Sequence, residues 1–121
     1  MIEGYFRGDT PRLPLTLYDA SGVAHTIDCI IDTGFVGELK LSPYWVGVLR
    51  LLKLGQDRFR LAAGTVEEYE LYLARGLWGD KERYFEVVEM VDEPLIGVQM
   101  LHGHRLVAEF DEGGSVHVEP L

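Results

Sequence analysis

The chain has 121 residues, which is about the length of one domain and enough to bury roughly two-thirds of the unfolded surface. Hydrophobic residues make up 47% and charged residues 26%, so disordered, collagen-like and low-complexity classes are disfavoured. The net charge of −9 disfavours nucleic acid and anionic membranes as partners, because an acidic surface repels phosphate groups. We expect one domain over residues 1–121.

The apolar segments and the cysteine content limit the cellular setting. No apolar run approaches the ~20 residues of a membrane span, and the N-terminus lacks the basic and apolar regions of a secretory signal. Cys29 is the only cysteine, which excludes an intramolecular disulfide and a Cys-x-x-Cys motif and indicates a small buried hydrophobe. These features predict a cytoplasmic chain.

The first half of the chain predicts a hairpin followed by a helix. Residues 13–18 alternate between apolar and polar types, and residues 23–31 are rich in β-forming types. The turn cluster at 19–22 separates these segments, so we expect them to pair. Apolar residues sharing one face, after Ser42 as a cap and a proline at the first helical position, predict a helix over residues 43–53.

The second half predicts further strands separated by turns. Residues 95–101 form a short apolar segment with helical spacing. The predicted strands are a hairpin of 59–62 with 65–77 around Gly64, a strand over 82–91, and a hairpin of 106–110 with 115–118. The expected fold is therefore mostly β, with one or two short helices.

One tripeptide could carry chemistry. Asp32, Thr33 and Gly34 follow the apolar pair 30–31, so a carboxylate emerges where a strand ends and a glycine allows a sharp turn. Taken alone, the tripeptide is also typical of an ordinary turn. A second element, the apolar-apolar-Gly of residues 95–97, follows after a helix, a hairpin and a strand. Because this order of elements is hard to obtain by chance, it favours a functional role for the tripeptide over an ordinary turn.

The two motifs and their order resemble the retropepsin-like aspartic peptidases of clan AA. The resemblance is greatest to the prokaryotic single-lobe members, in which Phe commonly follows Asp-Thr-Gly. It covers about residues 13–118, and the matching segments are 30–37, 62–65, 95–97 and 105–111. The resemblance implies a closed six-stranded acid protease barrel and a homodimer, in which one Asp-Thr-Gly from each chain meets its copy at a twofold axis.

The sequence itself supports the need for two chains, because it contains no second Asp-Thr-Gly or Asp-Ser-Gly. Peptide hydrolysis by this route requires one carboxylate to take a proton from water while a carboxylic acid protonates the scissile carbonyl. Two carboxyl groups about 3 Å apart share one proton, so two copies of Asp32 suffice. We predict an aspartic endopeptidase with Asp32 as catalytic residue, a peptide or protein substrate, and neither cofactor nor metal.

Two alternatives remain open at this stage. The same dimer is also compatible with a catalytically silent peptide-binding or scaffold module, because a fold does not guarantee a function. In the other alternative, the chain is a monomeric subunit of a larger complex and Asp32 belongs to an ordinary turn. A turnover assay separates the first alternative from the peptidase, and the mass in solution tests the second.

The resemblance also implies roles for the residues around Asp32. Thr33 would hydrogen-bond across the dimer axis, and Gly34 would let the substrate backbone lie close. Ile96 and Gly97 would form the structural loop that supports the motif. These roles are carried over by position in the chain.

The hairpin tip formed by Ala62, Ala63, Gly64 and Thr65 would correspond to the flap of the family. A flap supplies main-chain hydrogen bonds to an extended peptide and excludes water when it closes. A plain hairpin turn explains these residues equally well. The acidic residues 67, 68 and 70 beside this tip would favour basic peptides, although a solvated strand face is the usual reason for such a run.

The sequence departs from the retroviral members at Val36 and Val98. Retroviral enzymes often carry an acidic residue and an arginine there, and these form an ion pair. Both positions are apolar in this chain, so no unpaired charge results and an apolar contact can replace the pair at little cost in stability.

Three other residues are candidates with simpler explanations. Asp28 precedes Asp32 by four residues and would offer a second carboxylate, but we expect an exposed charge at a sheet edge. His102 and His104 have a spacing compatible with metal binding, but no third ligand is near in sequence, so we expect surface residues.

Overall fold

The computed structural model describes residues 1–60 and 63–121, except for the side chain of Phe59. The fold is mostly β, with 58% of residues in strands and 9% in helices, as the sequence predicts. The described part contains ten strands and two short helices. In chain order these are β1 Ile2–Arg7, β2 Thr10–Tyr18, β3 Ala24–Ile31, β4 Leu39–Leu41, α1 Pro43–Leu49, β5 Leu52–Arg60, β6 Val66–Trp78, β7 Lys81–Glu89, β8 Leu95–Ile96, α2 Val98–Leu101, β9 His104–Ala108 and β10 Ser115–Pro120.

All ten strands belong to one sheet, which curls into a partial ring. The hydrogen-bonded order is β5-β6-β7-β4-β8-β3-β2-β1-β10-β9, and the C-terminal part of β6 also pairs with β2. Gly76 lies at this additional pairing, where a Cβ atom would stand 2.2 Å from the carbonyl oxygen of Thr16. The absence of a side chain at Gly76 therefore allows two distant parts of the sheet to approach.

The three predicted hairpins are present, with one change of bounds: β5 begins at Leu52 rather than at residue 59, and residues 61–62 of that prediction lie outside the described residues. Strands β2 and β3 pair from Arg12 opposite Ile30 to Tyr18 opposite Ala24. Strands β5 and β6 form a long arm that extends from the ring, and β9 pairs with β10. The arm contains one register shift, a bulge between Lys53 and Gly55, and Gly55 has a φ of 148° there.

The helix boundaries differ from the prediction. Helix α1 begins at Pro43 but ends at Leu49 rather than at residue 53, because Arg50 takes a left-handed conformation with a φ of 52°. Leu52 then starts β5 and pairs with Leu73, which leaves no residues for another helical turn. The C-terminal segment is divided in the same way: residues 95–96 pair with two strands as β8, and only Val98–Leu101 is helical.

The core lies inside the curled sheet. Alternate side chains of β2 and β3 are buried there, namely Leu13, Leu15, Leu17, Ile27, Cys29 and Ile31. Cys29 is completely buried, which confirms its interpretation as a small hydrophobe, and burial raises the pKa of its thiol to about 12. In the described part of the chain, no helix has the length and apolar character needed to cross a membrane.

Arg50 provides a test of the observed helix end. A left-handed backbone disfavours any residue with a Cβ atom, so Arg50→Gly should be about 0.5–1 kcal/mol more stable than Arg50→Ala. Both variants lose the same side-chain contacts, and their difference isolates the backbone. Urea unfolding of the two variants measures it. A more stable alanine variant would contradict the left-handed conformation.

Candidate active site

Asp32 lies directly after β3, where β3 runs parallel to β8. Ile30 pairs with Leu95 and Ile31 with Ile96. The backbone N–H of Asp32 donates to the carbonyl oxygen of Ile96 at 2.9 Å, and that of Ile30 donates to Pro94 at the same distance. The structure thus brings together the two sequence motifs, although about sixty residues separate them.

The Asp32 carboxylate is fixed by its own turn. Its Oδ1 accepts the backbone N–H of Gly34 at 2.9 Å, and its carbonyl oxygen accepts the N–H of Phe35 at 3.1 Å. The residue is half-buried, and no basic side chain of the described residues lies within ion-pair distance. One carboxylate oxygen is therefore held, while the other accepts no hydrogen bond from the described part of the chain.

The turn after Asp32 interlocks with the segment around Gly97. Gly97 donates its N–H to the carbonyl oxygen of Glu38, and Val98 donates to that of Phe35, each at 2.8 Å. A Cβ atom on Gly97 would stand 2.1 Å from the carbonyl oxygen of Gly37 and 2.6 Å from the Phe35 ring. Only glycine fits between these groups. Ile96, completely buried, and Gly97 therefore do support the Asp32 turn.

The side chain of Glu38 connects the same turn to β7 through hydrogen bonds. Glu38 accepts a hydrogen bond from Arg83 at 2.5 Å and from the backbone N–H of Glu86 at 2.7 Å. Arg83 also lies over the Phe85 ring at 4.8 Å. The sequence gives no signal for Glu38, because neither its partner on β7 nor the pairing of β4 with β7 is visible in a local pattern. These contacts complete the support of the Asp32 turn.

The surface around Asp32 is uncharged and open. Thr33 and Gly34 are exposed, and the Thr33 hydroxyl makes no hydrogen bond to the described residues. Val36 and Val98, the two positions that depart from the retroviral pattern, are 59% and 40% exposed. These two exposed valines, one on each of the two contacting segments, form what we call the apolar rim.

The residues expected to form a flap lie at the end of the β5–β6 arm. Ala63, Gly64 and Thr65 are exposed between the two strands, and Gly64 has a φ of 85°. Arg60 donates to the carbonyl oxygen of Gly64 at 3.3 Å. Ala62 lies outside the described residues.

The acidic run on β6 has partners inside the arm. Lys53 contacts Glu70 at 2.8 Å and Arg58 contacts Glu68 at 3.3 Å across the two strands. Glu67 accepts the Tyr69 hydroxyl at 2.9 Å. The hydrogen bond to Lys53 also lowers the pKa of Glu70. These carboxylates are thus engaged in holding the arm together, as expected for a solvated strand face.

Asp28 belongs to a polar cluster and is half-buried rather than exposed. It lies on the part of β3 that pairs with β2, since the pairing with β8 covers only Ile30 and Ile31. It accepts hydrogen bonds from Tyr5 at 2.6 Å, Arg12 at 3.0 Å and Arg7 at 3.3 Å. The hydrogen bond to Asp28 raises the pKa of Tyr5. Arg12 also contacts Glu93 at 3.3 Å, so the cluster ties the first three strands to the segment before β8.

The histidines near the second helix have hydrogen-bonding roles. The two ring nitrogens of His104 contact the carbonyl oxygen of His102 at 2.9 Å and the Trp78 indole N–H at 3.2 Å. Within residues 1–60 and 63–121, no group of three or more His, Cys, Asp or Glu side chains is arranged to hold a metal ion. His104 therefore acts as a partner of Trp78.

Comparisons with family models, curated proteins and solved structures give no match to this chain. Function therefore has to be inferred from the site itself. The strongest feature is the carboxylate of Asp32, held between two interlocked segments and open on one side.

Gly97 tests the interlocked geometry. Gly97→Ala should lower the free energy of unfolding by about 3 kcal/mol or more, because its Cβ would overlap a backbone oxygen that cannot move away. The matched control is Gly47→Ala in α1, where a Cβ meets nothing within 4 Å. It should raise stability by about 0.5–1 kcal/mol through helix propensity. Urea unfolding checks both, and a neutral Gly97→Ala would contradict the observed packing.

Proposed function

We propose that this chain is the protomer of a homodimeric aspartic endopeptidase of the retropepsin-like type. In this proposal β2, β3, β8, β4, β7 and β6 of the partial ring correspond to the six strands of the acid protease barrel. The observation that carries the proposal is the Asp32 carboxylate, which is held by Gly34 on one oxygen and by the 95–97 segment through its backbone. A carboxylate held in this way suits proton transfer, because the hydrogen bond and the anchored backbone limit the motion of the Asp32 side chain.

The proposed chemistry uses one Asp32 from each of two chains. At a twofold axis the open carboxylate oxygens would face each other and share one proton, because two adjacent carboxylates do not both ionise readily. The ionised carboxylate takes a proton from a water molecule, which attacks the peptide carbonyl carbon. The protonated carboxyl group donates its proton to the carbonyl oxygen, which gives a tetrahedral intermediate. The carboxyl group that took the water proton then donates it to the amide nitrogen, while the other carboxylate takes a proton from one hydroxyl of the intermediate. The C–N bond breaks, the amine and the new carboxylic acid leave, and the pair again holds one proton. Thr33 would stabilise the pair by hydrogen bonding across the axis.

The surface next to Asp32 supports association of two chains at this place. Thr33, Val36 and Val98 are uncharged and exposed, so two copies can approach without burying an unpaired charge from the rim. Each chain nevertheless carries a net charge of −9, and the copies repel each other at long range. Salt should therefore strengthen the dimer by screening this repulsion.

The β5–β6 arm would serve as the flap over an extended peptide. Of its tip residues, the described Ala63, Gly64 and Thr65 are exposed, and Ala63 and Gly64 carry no bulky side chain. Backbone N–H and carbonyl groups at such a tip can pair with a peptide in the manner of an added strand. The substrate class is therefore an extended peptide or an unfolded protein segment.

Asp32→Asn tests the catalytic role. The amide cannot accept a proton from water, so cleavage of a peptide library should fall on the order of 10²- to 10⁴-fold. The dimer mass and the melting temperature should stay close to those of the parent. Asp80→Asn is the matched control, since Asp80 is exposed at the turn between β6 and β7, and its activity should equal that of the parent.

Each alternative gives a different result in the same assay. Equal cleavage by Asp32→Asn and the parent would rule out the carboxylate pair. Peptide binding without cleavage by either protein, from mildly acidic to neutral pH, would instead indicate the scaffold dimer.

The apolar rim predicts how the dimer can be broken. Val36→Asp should weaken dimerisation by about tenfold or more, because like charges would meet across the axis. Val107→Asp is the control, since Val107 is exposed on β9 and lies outside the rim. Sedimentation equilibrium at two salt concentrations measures both, and the parent should approach twice the 13.7 kDa of one chain. A parent that is monomeric throughout would exclude the proposed enzyme.

A further inference from the structure

A second concave site lies at the far end of β3. This groove has a volume of about 370 Å³ and is formed by the β2–β3 turn, the end of α1 and parts of β6 and β7. Gly22 lines it, and β3 then runs eight residues to the Asp32 turn. At about 3.3 Å per residue, the strand separates the two sites by roughly 25 Å. The groove is therefore independent of the proposed active site.

The floor of the groove is apolar. Leu49 is completely buried at its base, and Leu52 is 66% exposed at its mouth. Tyr84, which is 62% exposed, lines it from β7. Exposed apolar side chains at the mouth of a concave site are typical of ligand recognition, and the volume is within the range of small-ligand pockets.

The groove contains a cation without a carboxylate partner. The Arg50 side chain donates to the Ser21 hydroxyl at 2.5 Å, and no carboxylate of the described residues lies within ion-pair distance of it. The second arginine, Arg75, lies over the Tyr18 ring at 4.4 Å and pairs with Glu82. Arg50 therefore supplies an uncompensated positive charge in a chain whose net charge is −9.

The acidic residue in the lining is already engaged. Asp19 accepts hydrogen bonds from the backbone N–H groups of Ser21 and Val23, at 2.8 and 3.0 Å, and contacts His25 at 3.0 Å. These contacts hold its carboxylate within the β2–β3 turn. The same turn is docked on α1, since Ala20 donates its N–H to the carbonyl oxygen of Leu49 at 3.0 Å. Ser21 is thereby kept beside Arg50.

We propose that this groove binds the free C-terminal carboxylate of a peptide whose last residue is apolar. Arg50, which the Ser21 hydroxyl helps to orient, contacts the carboxylate, and the leucines at 49, 51, 52 and 73 surround the apolar side chain. One guanidinium without an ion-pair partner suits a single negative charge, whereas the Asp19 carboxylate in the same lining disfavours a dianion such as phosphate. The open mouth leaves room for the rest of the peptide chain to leave the groove.

The test is a titration of the isotope-labelled parent chain followed by NMR. The probe is N-acetyl-Ala-Ala-Leu with a free C-terminus, compared with the same peptide carrying a C-terminal amide. The free acid should shift the backbone signals of Ala20, Gly22 and Leu51 and bind at least about tenfold more tightly than the amide. Equal affinities, or shifts confined to other parts of the sheet, would overturn the proposal.

Variants separate the role of Arg50 from net charge and from folding. Arg50→Gln should weaken binding of the free acid by about tenfold, whereas Arg105→Gln removes one charge on β9 and should leave it unchanged. Arg50→Gly also removes the guanidinium and suits the left-handed backbone, so it should lose binding while remaining folded. Equal losses in Arg50→Gln and Arg105→Gln would show a general charge effect and overturn the assignment.

Two further outcomes bear on the ligand. Hexanoate binding as tightly as the peptide would show that any small apolar acid suffices, and would overturn the assignment to peptide C-termini. Binding of the free acid by the Asp32→Asn protein with unchanged affinity is expected, since the two sites lie at opposite ends of β3. Loss of binding in Asp32→Asn alone would place the peptide at the Asp32 site and overturn the assignment to the groove. Absence of binding in the parent would overturn the groove proposal without affecting the proposed catalysis.

Discussion

The parallel pairing of β3 with β8 is the constraint on which the site depends. It is only two residue pairs long. It allows the Asp32 N–H to donate to the Ile96 carbonyl oxygen and brings the following turn into contact with the segment around Gly97. Parallel pairs cannot be closed by a tight turn, so the chain between them must form a long connection. In this protein that connection contains α1, the β5–β6 arm and β7. The elements that would cover the site are thus inserted into the segment that builds it.

Several charged side chains form ion pairs that connect neighbouring strands. The Asp28 cluster places two arginines on one carboxylate, and the arm pairs lysine and arginine with glutamates across its strands. Asp32 and Arg50 are among the charged residues that have no oppositely charged partner within ion-pair distance in the described part of the chain. Paired charges at a surface contribute little to stability and are often neutral in effect. Unpaired charges in grooves or half-buried positions indicate function more strongly than paired surface charges do. Asp32 and Arg50 both lie at sites for which we propose a ligand.

Much of the fold could be predicted from the sequence because local patterns determine it. Alternation over β2 and β3 marks a hairpin whose one face is buried, and turn residues mark its end. The strand β4 has no clear sequence signal, because it is only three residues long and alternation is informative over four or more residues. Buried Lys40 reads as a surface residue in sequence, although its ammonium group donates to the carbonyl oxygen of Val91 at 3.0 Å.

The candidate site could be predicted only in part. The tripeptide at Asp32 and the glycine at 97 were both visible as sequence patterns, and the structure places them side by side. The contacts of Glu38 and Asp28 were not visible, because their partners on β7, β1 and β2 are brought near only by the curled sheet. The end of α1 could not be predicted either. A helix end in the left-handed conformation is usually marked by glycine, but this position is occupied by Arg50. Long-range contacts and an unusual backbone conformation account for these errors.

The bulge between Lys53 and Gly55 has a mechanical consequence. Above it, cross-strand pairing continues without interruption to Arg60 opposite Val66, and below it β6 is bound on both sides by the ring. The ladder is therefore weakest at one defined level, close to the base of the arm. Any bending of the arm would therefore concentrate at this level, and the described part of the arm beyond the bulge would move as one unit.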